Sequence, residues 1–202
     1  MILHALLIGA LVGVVVGSLS AGGGIVSVPI LVYVLGQDPH QATGLSLIIV
    51  GLTAAVSLAT RARSGNVAWR EGTIFALAGL AGTWAGAALT GFLTGFFGVG
   101  GGFAIVPALH LALRYPMKRA SATSLLVMVI TAAFGLASRT LSGTLTITAQ
   151  AVAMVALFTG ASMVGGFVGA RLTARVSNRV LGLVFAALLI IVAASTLAAT
   201  LA

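Results

Sequence analysis

Few side chains in this sequence could carry out acid–base or metal chemistry. The chain has only two carboxylates, Asp38 and Glu71, together with three histidines and no cysteine. Hydrolysis would need a serine–histidine pair, two paired carboxylates or a zinc set such as His-Glu-x-x-His, and none of these patterns occurs. The sequence therefore predicts no catalytic residue, no metal site and no cofactor, and we expect that the protein is not an enzyme.

The three histidines are the remaining candidates for proton chemistry. His110 is the only one that lies well inside an apolar run. We expect it to be packed within the protein or placed at the membrane interface, with a proton relay as the alternative. His4 and His40 lie near the ends of apolar runs, and we expect both at the interface.

A glycine motif that occurs twice indicates a different kind of binding chemistry. Three consecutive glycines, followed by a proline five residues after the last of them, are found at 22–29 and again at 100–107. Each copy interrupts an apolar run long enough to cross a bilayer. A helix broken at that depth exposes backbone N–H and C=O groups that lipid cannot satisfy, so protein, water or a ligand must satisfy them.

The residues after each break would begin a half-helix whose free N–H groups carry a partial positive charge. Two such ends that meet at mid-membrane would bind a small anion without a buried charged side chain. The predicted substrate-binding residues are Gly22, Gly23, Gly24, Ile25, Ser46, Gly100, Gly101, Gly102, Phe103 and Ser124. Further candidates along the pathway are Ser20, Thr43, Arg61, Thr123 and Arg139. The alternative is that the glycines only allow helices to cross and the prolines only kink them.

The composition indicates which elements carry these breaks. The 202 residues are 60% hydrophobic and 6% charged, whereas soluble domains are about 25% charged. We therefore predict an all-α polytopic membrane protein that is surrounded by the lipid bilayer. Ten basic residues against two acidic ones would indicate a nucleic-acid partner in a soluble protein. Here the basic residues cluster between apolar runs, so we attribute them to the positive-inside rule and expect no nucleic acid.

The apolar runs predict about seven transmembrane helices, with re-entrant glycine segments as an alternative that would change this count. They cover approximately 2–35, 41–60, 71–88, 89–113, 120–138, 147–170 and 180–202. The third and sixth runs carry faces of small residues that we expect to pack closely against neighbouring helices. These glycines are Gly79, Gly82, Gly86, Gly160, Gly165, Gly166 and Gly169.

The two halves of the chain align when one is shifted by 78 residues. This shift pairs Gly22 with Gly100 and Arg61 with Arg139. We predict one transmembrane domain over 1–202, with repeat 1 at about 13–89, repeat 2 at about 91–172 and an extra C-terminal helix at about 180–202.

The positions of the basic residues predict how the repeats are oriented. If the N-terminus is cytoplasmic, nine basic residues lie in cytoplasmic connections and only Arg139 lies on the other side. This asymmetry favours repeats of inverted topology. Arg61 and Arg139 occupy equivalent positions in the two repeats. We expect both to be solvated loop arginines, with a role at the mouth of a pathway as the alternative.

The paired glycine motifs resemble those of the sulfite exporter family known as TauE/SafE. The similarity also includes Ala-Thr-Gly-Leu-Ser at 42–46, Ala-Ser-Ala-Thr-Ser at 120–124 and the two Arg-x-x-Ser-Gly turns, and it extends over nearly the whole chain. The resemblance implies a permease that moves small anions, such as sulfite or sulfonates, across the bacterial plasma (inner) membrane. We expect it to work by alternating access around the two glycine breaks.

Members of this family usually have a fourth helix in each half, and this chain lacks that helix after Leu89. Two alternatives are therefore left open. One is a homo-oligomer, in which the chain works with a second copy of itself. The other is a truncated membrane scaffold or paralogue that does not transport.

Overall fold

The computed structural model describes residues 2–19, 27, 31–32, 38–63, 65–85, 102–143 and 149–201. Within these ranges the chain forms seven α-helices and no strand, which confirms the prediction of an all-α protein. Each helix overlaps one of the predicted apolar runs, and several extend a few residues beyond it. In chain order they are α1 (Ile2–Leu19), α2 (Pro39–Ala62), α3 (Trp69–Ala85), α4 (Gly102–Ala112), α5 (Met117–Leu141), α6 (Ala149–Arg175) and α7 (Asn178–Leu201).

Three of the described helices are long and apolar enough to cross a membrane. The crossing segments are Gln41–Ala62 in α2, Met117–Leu141 in α5 and Val155–Arg175 in α6. Shorter apolar segments occupy Gly9–Ser18 in α1 and Asn178–Leu188 in α7. The described chain is therefore that of a helical membrane protein, and the count of seven crossings stays a prediction.

Helices α2 and α5 pack against each other in opposite directions. Leu47 in α2 lies against Gly135 in α5, and Gly51, one turn further along α2, lies against Ala132, one turn back along α5. The small residues at 51, 132 and 135 allow this close contact. The core between the two helices is filled by large apolar side chains, including Leu45, Ile49, Leu125 and Met128.

Helices α1 and α6 run in the same direction and lie so close that only glycine fits between them. A Cβ added at Gly13 would clash with the backbone of Ser162, and one added at Gly17 would clash with the backbone of Gly166. Small residues at intervals of four let two helix backbones approach, which increases van der Waals contact. The expected close packing is thus confirmed for Gly165 and Gly169 in the sixth run, whose partner is α1. It is wrong for Gly160, which is exposed and has no described atom within 4 Å of an added Cβ.

The same expectation is wrong for Gly79 in α3. No atom would lie within 4 Å of a Cβ added at this position, because the residue is exposed on the outside of the described bundle. Among the described helices, Gly79 therefore has no close packing partner.

Nine basic side chains lie at one end of the bundle, which we call the basic end. The helix ends meet there: Nζ of Lys118 donates to the carbonyl oxygen of Ala174 at 3.1 Å, and the amide of Ala68 donates to Oγ1 of Thr123 at 3.1 Å. Arg139 lies at the opposite end. The nine residues are Arg61, Arg63, Arg70, Arg114, Lys118, Arg119, Arg171, Arg175 and Arg179.

Helix α1 ends, rather than begins, at the basic end. Oγ1 of Thr173, in the last turn of α6, donates to the carbonyl oxygen of Ser18 at 2.9 Å. The prediction of an N-terminus on the basic side is therefore wrong. It treated 2–35 as one crossing, whereas α1 ends at Leu19 and α2 begins at the opposite end with Pro39. The reversed direction of α1 does not change the distribution of basic residues between the two ends of the bundle, because no Lys or Arg precedes Arg61.

We expect Gly13→Ala to destabilise the protein because the added methyl group forces α1 away from α6. Overpacking of this kind costs about 1–3 kcal/mol, which should lower the thermal unfolding midpoint measured in detergent. Gly160→Ala in α6 is the matched control, since open space surrounds Gly160 and no change is expected there. Equal midpoints for the two variants would contradict the close packing of α1 and α6.

Candidate functional site

Two arginines join α2 and α5 at opposite ends of their contact. Nη1 of Arg61, in the last turn of α2, donates to Oγ of Ser121 near the start of α5 at 2.7 Å. Nη2 of Arg139, in the last turn of α5, donates to Oγ1 of Thr43 near the start of α2 at 2.9 Å. We call these contacts the arginine–hydroxyl pairs.

The two pairs are equivalent under the shift of 78 residues found in the sequence. Under this shift Arg61 is equivalent to Arg139, and Thr43 is equivalent to Ser121. Each half therefore supplies the arginine at one end of the contact and the hydroxyl group at the other. A reciprocal contact of this kind is characteristic of an interface with twofold symmetry. The sequence paired the two arginines correctly but did not identify their partners.

Ser46 and Ser124, both predicted to bind substrate, repeat the same equivalence. The hydroxyl of Ser46 donates to the carbonyl oxygen of Thr43 at 2.8 Å, and that of Ser124 donates to the carbonyl oxygen of Ser121 at 3.0 Å. Both serines are buried. Each hydroxyl bonds back to its own helix, as serine commonly does inside apolar helices. The carbonyl groups that accept these bonds belong to Thr43 and Ser121, the two residues whose hydroxyl groups accept from the arginines.

Arg61 holds three helices together and is only 7% exposed. Besides Ser121, its Nη2 donates to the carbonyl oxygens of Gly17 and Ser18, the latter at 3.1 Å. The last carbonyl groups of a helix lack partners within the helix and carry partial negative charge, so a cation stabilises them. The expectation of a solvated loop arginine is therefore wrong for Arg61. Its guanidinium group caps α1 just before the first glycine triplet.

The Arg-x-x-Ser-Gly motif forms a helix end rather than a loop. Gly65 and Gly143, the last residues of the two copies, have φ values of 68° and 64°. Glycine adopts this left-handed conformation without strain and commonly ends helices. Both arginines therefore lie inside the last helical turn, which places Arg139 half-buried beside Thr43. The expectation of a solvated loop is wrong for Arg139 as well.

Most of the predicted glycine site falls outside the described residues. This applies to Ser20, Gly22, Gly23, Gly24, Ile25, Gly100 and Gly101. Gly102 and Phe103 are described and are helical, as the first two residues of α4. Thr123, a predicted pathway residue, is buried and accepts the bond from the amide of Ala68. Substrate binding at the two triplets therefore stays a prediction.

Three buried hydroxyl groups were missed by the sequence analysis. They belong to Thr53 and Ser57 in α2 and Thr159 in α6, and none has a hydrogen-bond partner among the described residues. Gly166 packs directly beside Thr53 and Ser57. An unsatisfied buried hydroxyl costs about 1–3 kcal/mol, so this interface could accept water or a polar solute. The only signal in the sequence is their helical spacing of four residues in α2.

His110 lies near the end of α4, exposed, with its Nδ1 2.6 Å from the carbonyl oxygen of Tyr115. Its imidazole thus bonds to the backbone of the following turn, which agrees with an interfacial position. In the part of the chain that the structure describes, no three His, Cys, Asp or Glu side chains come together as they would around a metal ion.

These features define the class of protein: a helical membrane protein with reciprocal contacts between its two halves. The family described as Sulfite exporter TauE/SafE matches the chain over residues 5–90 and 87–196. The chain belongs to the TauE/SafE family of membrane transporters.

Individual relatives agree with this family assignment. Two proteins from Xylella fastidiosa, strains Temecula1 and 9a5c, are each described as a probable membrane transporter protein. Both are 32% identical to this chain, over 91% of the chain and 92% of the relative. A protein of the same description from Methanocaldococcus jannaschii is 24% identical, over 66% of the chain and 70% of the relative. No solved structure matches the chain.

The Xylella alignments are longer than the chain itself. They extend over 244 residues, whereas this chain has 202. The relatives must therefore contain residues that have no counterpart here, as a missing helix would require.

The reciprocal contacts can be tested by two double-mutant cycles of unfolding free energy. Arg61→Gln with Ser121→Ala, and Arg139→Gln with Thr43→Val, should each show a coupling of about 1–2 kcal/mol, because each pair shares a charge-assisted hydrogen bond. The crossed combinations, Arg61→Gln with Thr43→Val and Arg139→Gln with Ser121→Ala, are the controls and should be additive. Coupling of equal size in the crossed combinations would contradict the arrangement.

Proposed function

We propose that this transporter moves small anions, of the sulfite or organosulfonate type, across the bacterial plasma membrane by alternating access. The observation that carries the proposal is the equivalence of the two arginine–hydroxyl pairs at opposite ends of the antiparallel α2–α5 contact. Two repeats of inverted topology, related by an axis in the membrane plane, produce this arrangement. In such transporters the two halves rock against each other around a substrate site near that axis.

The distribution of charge supports an anionic substrate. The basic end carries nine cationic side chains, and the whole chain has only two carboxylates, of which Asp38 lies at the other end of the bundle. An excess of one sign raises the local concentration of ions of the opposite sign. The positive-inside rule places the basic end in the cytoplasm. An inside-negative potential then favours export of an anion by about 2.3 kcal/mol per charge for each 100 mV.

The arginine–hydroxyl pairs fit the role of gates in this mechanism. Opening the basic end would separate Arg61 from Ser121 while Arg139 stays bonded to Thr43, and opening the other end would do the reverse. Because serine and threonine are neutral, water can replace either hydroxyl at an opened arginine. Hydrogen bonds to charged groups are worth about 1.5–3 kcal/mol, so one pair can open without unfolding the helices. The substrate would bind at the two glycine triplets, of which the first follows the end of α1 that Arg61 caps.

A second candidate is a membrane scaffold that does not transport. The observation that favours it is the excess length of the Xylella alignments over this chain. A homo-oligomer, in which a second copy supplies the absent contacts, would instead retain transport. Flux measurements separate these candidates.

We expect the purified protein in proteoliposomes to carry labelled sulfite, and Gly23→Val and Gly101→Val each to abolish this flux. A valine side chain would block the close approach of the anion to the backbone. Gly79→Val is the matched control and should keep full flux, since Gly79 has open space around it. Insertion of each variant is checked by its recovery as folded protein.

Two results would overturn this part of the proposal. Absence of flux of any small anion by folded wild-type protein would refute transport. Full flux in both triplet variants would show that the glycines serve helix packing only.

The orientation can be read from cysteine labelling, because the native chain has no cysteine to give background. We expect Arg63→Cys, exposed after α2 at the basic end, to react with a membrane-impermeant maleimide only in inside-out vesicles. Ser142→Cys, exposed after α5 at the other end, should react only in intact spheroplasts. Labelling of both positions from one side would contradict the proposed topology.

A further inference from the structure

A cavity of about 120 Å³ opens at the basic end between α2, α5 and α6. Two cationic side chains, Arg61 and Lys118, line it together with the polar side chains of Asn66 and Thr173. The other described residues in the lining are three alanines, Ala122, Ala170 and Ala174. Among these residues, only Arg61 was predicted from the sequence to lie on the pathway.

The three alanines explain why there is space between the cations. Ala122 and Ala170 are buried at a junction of three helices, where larger apolar side chains would normally fill the interior. Methyl groups at these positions leave a void, and the polar groups at its rim keep it accessible to water and ions. The space suits an ion with a few heavy atoms.

The charged side chains among the described residues that line the cavity are both cations. No carboxylate lies among the described residues that line it. Nζ of Lys118 donates one hydrogen bond to the carbonyl oxygen of Ala174 at 3.1 Å. A lysine ammonium group has three donors, so this neutral acceptor leaves donors for a ligand. Arg61 brings a second positive charge, with a guanidinium group of five N–H donors.

We infer that this cavity binds a small oxyanion, such as sulfite or sulfate, between Lys118 and Arg61. Thr173 and Asn66 supply further polar contacts at its wall. The binding itself depends only on the cavity, whereas its role as the cytoplasmic mouth of a transport pathway rests on the proposed function. The site differs from the predicted one at the glycine triplets, because side-chain charges rather than backbone N–H groups hold the anion.

The position of Arg61 links the bound anion to the α2–α5 contact. The same guanidinium group lines the cavity and donates to Oγ of Ser121. An anion competes with this neutral hydroxyl for the arginine, because charge-assisted bonds to an anion are the stronger ones. Occupation of the cavity therefore weakens the arginine–hydroxyl pair at the basic end and favours its opening.

Isothermal titration of the purified full chain with sodium sulfate, in neutral detergent at constant ionic strength, tests the site. We expect Lys118→Met to weaken sulfate binding about tenfold, since it removes one charge-assisted contact. Lys118→Arg should retain most of the affinity. Arg63→Met removes an exposed charge from the same end outside the cavity, and we expect it to leave the affinity nearly unchanged.

A second variant blocks the cavity without changing its charge. Ala174 is exposed at the rim, so Ala174→Leu should fold normally and still abolish sulfate binding. Equal losses in Lys118→Met and Arg63→Met would show a diffuse charge effect and overturn the inference. Wild-type affinity in Ala174→Leu would also overturn it.

Sulfite flux in proteoliposomes separates this inference from the proposed function. Wild-type protein that binds sulfate but carries no flux would keep the site and refute transport. Protein that carries flux but binds no sulfate in the titration would refute the site and keep transport.

Discussion

A guanidinium group buried in a membrane protein must find oxygen partners, and this requirement fixes where three helices of the bundle meet. Arg61 obtains its partners from the end of α1 and the start of α5 while it belongs to α2. An uncompensated charge at that position would cost several kcal/mol. The helix ends therefore cannot separate unless water or an anion replaces the lost oxygens. The oxygens of Gly17, Ser18 and Ser121 are neutral, so they accept hydrogen bonds from the two Nη atoms of Arg61 without adding a negative charge.

The equivalence of the two arginine–hydroxyl pairs has an energetic consequence for a transporter. Breaking Arg61–Ser121 and breaking Arg139–Thr43 each costs one hydrogen bond of the same chemical type. In the proposed mechanism, states open to either side of the membrane would therefore differ little in these contacts, and a bound solute would shift the balance with modest differential affinity. The two environments are not identical, since Arg61 is buried and Arg139 only half-buried. The more buried arginine lies at the end with nine cations, where an anion gives the larger electrostatic gain.

Sequence reasoning predicted the all-α fold and paired the two arginines, because apolar runs and a 78-residue shift are local or linear patterns. It placed Arg61 in a loop because charged residues in an apolar chain usually mark connections. The helix continues through Ala62, and Gly65 ends it in a left-handed conformation. The partners of Arg61 could not be predicted, since they depend on which helix ends come together in three dimensions. The contact of Gly13 with α6 could not be predicted for the same reason. The sequence shows the small-residue face of α6 but does not show that α1 packs against it.

The direction of α1 changes how the first glycine triplet relates to the membrane. Its 18 residues are about 27 Å long, close to the hydrocarbon thickness of about 30 Å, so α1 nearly completes a crossing before the triplet begins. The carbonyl oxygen of Ser18, at the end of that crossing, accepts bonds from Arg61 and Thr173, and both side chains also line the cavity at the basic end. An anion that draws Arg61 into the cavity therefore releases part of the cap on α1. In this proposal, occupation of the cavity and the capping of α1 are thus coupled through one helix end.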